Sequence, residues 1–123
     1  MECSCNIEVD NDDGGPEFYS EAWRTARKVH KCYECGRKIE PGEKYEVVSG
    51  VWDGDFETYK TCNDCHTARS MFFPSGYSFG MMWQDIVDYI GECDGEIPEK
   101  CISGLTQRSR DRVLEQIERC FDD

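Results

Sequence analysis

Apolar positions recur at two different periods along the chain, and the changes of period divide it. In "PEFYSEAWRTARKVHK", Phe18, Ala22, Ala26 and Val29 recur at about one helical turn, and Tyr19 and Trp23 widen that face. Pro16 stands early, Glu17 and Glu21 lie near the start, and Arg24, Arg27 and Lys28 near the end, which matches the helix macrodipole. The pattern predicts an amphipathic helix over residues 16–30. From Lys44 the period shortens. "KYEVVSGVW" is rich in β-branched and aromatic residues, and in "FETYKT" Phe56, Thr58 and Lys60 alternate with Glu57, Tyr59 and Thr61. Asp53-Gly54 between the two runs supplies the turn of a tight hairpin, and "IEPGEKY" predicts a turn feeding its first strand.

Helical spacing then returns. "NDCHTARSMFF" predicts a short helix that stops before Pro74. "SFGMMWQDIVDYIGEC" puts Phe79, Met82, Trp83, Ile86, Val87 and Ile90 on one side, with Ser78 as N-cap. "LTQRSRDRVLEQIERCFDD" turns Val113, Leu114, Ile117 and Phe121 inward behind Thr106 as N-cap, and "DGEIPEKCISG" between the two reads as a linker. The expected architecture is one α+β domain over 1–123. Its parts are an acidic segment (1–15, with "DNDDGG" as a solvated turn), a helix (16–30), a cysteine-bearing hairpin unit (31–73) and a C-terminal helical pair (78–123).

Composition narrows what such a domain can be. At 123 residues a hydrophobic core gives modest stability, so a staple would help. The 15 aromatics (6 Phe, 6 Tyr, 3 Trp) are too many for a disordered chain. "MECSCNIEVDNDD" is acidic and has no apolar run, and nowhere do 18 apolar residues follow one another. The expectation is a protein without export signal or membrane span, resident in the cytoplasm. In a reducing compartment, nine cysteines read as metal ligands and packing residues, not as disulfides.

The net charge of −12 is unevenly placed: −7 over residues 1–22, +3 over 23–48, −2 over 49–70 and −6 over 71–123. Arg24, Arg27, Lys28, Lys31, Arg37 and Lys38 form a basic island around Tyr33, a mixture suited to phosphates and a stacked base. The surrounding acid repels a polyanion at long range and favours a partner protein with a basic surface.

The chemistry is concentrated in "KCYECGRK" and "KTCNDCHTAR", which together make C-x2-C-x26-C-x2-C. Gly36 follows the first pair and lets the chain fold tightly around an ion. A hairpin of the intervening length returns the chain to its start, so Cys32, Cys35, Cys62 and Cys65 can meet at one tetrahedral Zn²⁺. A thioredoxin-like redox pair needs a βαβ context that the pattern lacks. Cys3 and Cys5 are candidates for a second metal site with Cys93, Cys101 or Cys120, but no further CxxC or histidine cluster completes it. His30 and His66 flank the two pairs, yet four thiols already close a site.

The run "CYECG", "PGEKYEVVSGVWDGDFETY", "CNDCHTAR" resembles the treble-clef zinc fingers over roughly residues 30–73. The resemblance implies a zinc knuckle, a hairpin and a ligand-bearing helix. It implies no single activity, because that fold serves nucleases, ribosomal proteins, transcription factors and adaptors. The N-terminal "CSC", the basic run into a CxxC and the "WDGDF" turn also resemble small phage and prophage proteins, which implies an accessory role in a host cytoplasm.

Nucleases of the HNH type build on the same fold with a histidine on the hairpin. Here no histidine lies between Cys35 and Cys62, and the helix offers His66 no second histidine with which to hold a cation or activate water. Asp53, Asp55 and Glu57 near the turn read as solvated acids. The expectation is a non-enzymatic, zinc-stabilised binding protein that modulates a host protein or a nucleic-acid-handling complex. The alternatives are a nucleic-acid-binding regulator using residues 24–38 and a degenerate HNH-type nuclease.

Overall fold

A computed structural model of the chain describes residues 5, 7, 18–52, 54–73 and 79–121. The chain divides into two compact units, Asp10–Asn63 and Met1–Val9 with Asp64–Asp123. The first is built on strands, the second on helices. The α+β class is as expected.

In the strand unit, β1 (Phe18–Thr25), β4 (Lys44–Trp52) and β5 (Asp55–Cys62) form an antiparallel sheet in the order β1-β4-β5. β4 and β5 make the expected hairpin, with Trp52 opposite Asp55 and Gly54 at φ 81°, a backbone state that glycine adopts without a Cβ clash. The "IEPGEKY" turn is equally regular: Glu43 N–H donates to Glu40 O at 3.1 Å across Pro41 and Gly42. β2 (His30–Lys31) and β3 (Lys38–Ile39) pair as a two-residue ribbon that carries the first CxxC between them. Behind it Tyr33 packs edge-on against Tyr59 at 4.7 Å, and Tyr59 against Trp52 at 5.4 Å.

The predicted helix over 16–30 is not formed: Phe18–Thr25 is a strand, paired along its length with β4 from Phe18 opposite Val51 to Thr25 opposite Lys44. The spacing is compatible with either structure. Phe18, Ala22 and Ala26 lie four apart, which is about one turn of a helix and also two repeats of a strand. An edge of β4 offers a complete ladder of hydrogen bonds, and tertiary pairing overrides local helix propensity.

In the helical unit, α1 (Asn63–Phe72) is the expected short helix. α2 (Met82–Glu92) buries Met82, Trp83, Ile86 and Ile90, with Val87 half-buried, as the periodicity predicts. It begins at Met82, and Met81 before it contributes no side-chain cap. α4 (Gln107–Phe121) has its cap where expected, with Ser109 N–H directed at Thr106 Oγ1 at 3.5 Å. Val113 is buried, but Leu114 is 40% exposed, because residues 113 and 114 lie about 100° apart on a helix and only one faces the core. The linker contains a further short helix, α3 (Glu99–Ser103), behind Pro98, so the C-terminal part holds three helices instead of two. Pro16, Glu17, Asp53, Pro74, Ser78 and the 10–15 turn lie outside the described residues.

Candidate metal centre

The hairpin and the ribbon carry three of the cysteines, and α1 carries the fourth. Cys32 follows β2, and its N–H donates to Arg37 O at 2.9 Å while Gly36 N–H donates back to Cys32 O at 2.9 Å. The loop closes because Gly36 adopts φ 75°. Cys62 ends β5, opposite Tyr45, and Cys65 sits one turn later in α1. The Sγ atoms of Cys32, Cys35, Cys62 and Cys65 all lie within 4.8 Å of one another. Cys32, Cys62 and Cys65 are buried and Cys35 is half-buried.

The spacing of the sulfurs tests the metal. Cys35 and Cys62 Sγ are 3.9 Å apart. A tetrahedron with Zn–S of about 2.3 Å has edges of about 3.8 Å, and a disulfide would need about 2.05 Å. The donor set therefore fits a tetrahedral ion, and four soft thiolates suit zinc. With all four positions taken by sulfur, such an ion is structural.

Groups beyond the thiols help hold them. Cys62 N–H points at Cys32 Sγ at 3.4 Å, and the indole Nε1–H of Trp83 donates to Cys65 Sγ at 3.2 Å. Trp83 is held in turn by Arg112, whose guanidinium carbon lies 4.2 Å above the ring. The first turn of α1 is fixed from α4: Ser109, buried, donates its hydroxyl to Asp64 O at 2.7 Å, and Arg108 reaches Asp64 Oδ2 at 3.5 Å. Arg37 pairs with both Glu43 oxygens, at 2.9 and 3.1 Å. That carboxylate, with help from the nearby Cys62 sulfur, holds the guanidinium above its ordinary pKa despite partial burial. A cation beside Cys62 offsets the double negative charge that four thiolates leave around a divalent ion.

Phe at position 83 would keep the ring and remove the donor. Trp83→Phe is expected to weaken zinc binding by about 10–100-fold, the usual cost of losing such a supporting hydrogen bond, with little change in far-UV dichroism. Competition with a chromogenic chelator measures it, and an unchanged affinity would show that the indole N–H contributes only packing.

The other candidate residues are not gathered at this centre. His30 stacks on Tyr45 and lies between Tyr45 Oη at 3.3 Å and Lys60 Nζ at 3.2 Å. Burial, then the charges of Lys60 and Lys28, hold its imidazole below the ordinary pKa. His66 is half-buried on α1 and outside the cluster. Among the described residues no second group of three or more metal-ligating side chains occurs.

Cys3 lies outside the described residues. Cys5 is buried, and burial raises its thiol pKa against the opposing effect of Tyr89. Cys93 and Cys120 are half-buried, as their places near helix ends suggest. Cys101 is disulfide-bonded, which corrects the expectation that every cysteine would be a thiol or a ligand and removes it from any second metal site.

Of the basic island, Arg24, Arg27, Lys28, Lys31 and Lys38 are exposed, whereas the side chain of Arg37 is only 16% exposed in its pairing with Glu43. Trp83, Ser109, Arg112 and the Arg37–Glu43 pair were not visible as parts of the site from the sequence. The only signal was a tryptophan on the inward face of α2.

Compared with known families, curated proteins and solved structures, the chain matches none. No helix of the described residues is long and apolar enough to cross a membrane.

Proposed function

We propose that the chain is a non-enzymatic binding protein whose zinc centre is structural. The observation that carries this reading is the cluster of four cysteine sulfurs, which leaves a bound ion no open coordination position. The order of ribbon, hairpin and ligand-bearing helix supports a treble-clef description of this part of the chain. Purified protein with magnesium or manganese is expected to leave plasmid and single-stranded DNA uncut. Cleavage that His66→Ala abolishes would overturn this.

In this reading the partner is a protein with a basic surface, such as a component of a host nucleic-acid-handling complex, and the chain is a phage-type accessory protein. The net charge of −12 supports it, since a strong field of one sign steers encounter with the opposite sign. Asp94, Glu96 and Glu99 are exposed together after α2. Tagged protein is expected to capture such a partner from the source cell despite nuclease treatment. Asp94→Asn with Glu96→Gln and Glu99→Gln should then slow association with it by about tenfold at low salt. An unchanged rate, or capture lost on nuclease treatment, contradicts the reading.

A further inference from the structure

The two faces of the three-stranded sheet carry opposite chemistry. Residues directly opposite in an antiparallel ladder share a face. Glu21, Glu46, Asp55 and Glu57 all fall on the face of Val48. The other face holds no carboxylate among its described side chains. Arg24 and Lys60 lie toward one end of it, Phe56 lies opposite Val51 toward the other, and Ser49 and Thr58 face each other between, with their hydroxyl oxygens 3.2 Å apart.

Along the central strand this second face is also the more open one: Glu46 and Val48 on the first are buried, whereas Val47, Ser49 and Val51 on the second are half-buried. Arg24 and Thr58 are exposed and Phe56 is 65% exposed, while Tyr45 and Cys62 at the Arg24 end are buried and Lys60 is half-buried beside His30. In a chain of −12, a sheet face without acids, with cations toward one end and an exposed aromatic ring toward the other, is complementary to an anion that carries flat apolar groups. Phe56 and Lys60 are four residues apart, about 13 Å along the strand. A ring that can receive a base and a cation that can receive phosphate are thus separated by a few nucleotides.

We infer that this carboxylate-free face is a platform for single-stranded nucleic acid, with a base stacked on Phe56 and phosphates on Arg24 and Lys60. A duplex keeps its base faces stacked and out of reach of Phe56, whereas an unpaired strand can splay a base onto it. A second copy of the chain docked by the same face would bring cations against cations, so an anionic occupant is favoured. The inference goes beyond the protein-binding reading and does not rest on it. A protein that docks on nucleic-acid-handling machinery and touches the strand being handled would use both surfaces.

The test is fluorescence anisotropy of the full zinc-loaded chain with a short labelled oligothymidylate and with a duplex of equal length. Wild type is expected to bind the single strand at least about tenfold more tightly than the duplex, with affinity falling as salt rises. Phe56→Ala should lose about tenfold and Phe56→Trp should retain binding. Arg24→Gln with Lys60→Gln should flatten the salt dependence, with dichroism confirming that each variant is folded. Equal binding of duplex and single strand overturns the inference, as does a Phe56→Ala variant that binds like wild type. An acidic polypeptide bound more tightly than the oligonucleotide, or self-association through Phe56, would overturn it in favour of those occupants. None of these variants alters Asp94, Glu96 or Glu99, so failure here leaves the protein-binding reading to its own test.

Discussion

Cys62→Ser is expected to release the metal and unfold the hairpin region together. Cys62 is buried at the end of β5, its N–H points at Cys32 Sγ, and its own sulfur lies 3.9 Å from that of Cys35. A serine hydroxyl is a poor zinc ligand at neutral pH, and three thiolates left around an incomplete shell repel one another without full compensation. Metal binding at such a site is folding free energy, about 10–16 kcal/mol for small structural zinc sites, comparable with or larger than the roughly 5–15 kcal/mol that stabilises a whole domain. Zinc per chain should fall well below one and the strand signal in far-UV dichroism should diminish. A chelator should do the same to wild type. Full zinc with an unchanged spectrum would contradict the placement of Cys62 in the site.

A smaller loss, of a different kind, is expected for Phe72→Ala. Phe72 closes α1, is 0% exposed, and its carbonyl accepts the Ile7 N–H at 2.7 Å. Removing a buried phenyl ring costs about 3–5 kcal/mol in lost transfer energy and residual cavity, which lowers the melting temperature of a chain this size by roughly 12–20 °C. The four thiols are untouched, so zinc stoichiometry should stay at one. Thermal melting with metal analysis on the same sample separates the two variants. Loss of zinc from Phe72→Ala at room temperature would mean that packing at the end of α1 sets the ligand geometry.

Cys62 and Phe72 belong to elements whose local pattern declares them, and other parts of the molecule do not. The hairpin was legible because Asp53-Gly54 interrupts two runs with strand composition, and the cysteine cluster because CxxC pairs on either side of that hairpin have one economical way to meet. α2 and α4 were legible because an amphipathic helix writes its own period. β1 was not, because an edge strand depends on its neighbour, and the four-residue spacing of Phe18 and Ala22 fits both periods. α3 is too short at five residues to show a period at all. The groups that support the thiols were hidden for a related reason. Trp83 lies 18 residues from Cys65, and Ser109 lies 45 from Asp64. Their roles depend on how helices pack, which side-chain patterning within one helix does not encode. The disulfide at Cys101 was missed because the expected compartment argued against any.

The most direct test of the central claim is X-ray absorption at the zinc edge of the purified chain, with metal counted on the same sample. One zinc per chain is expected, in a shell of four sulfurs at about 2.3 Å. Nitrogen or oxygen in the first shell, a chain that folds without metal, or disulfides among Cys32, Cys35, Cys62 and Cys65 would contradict it.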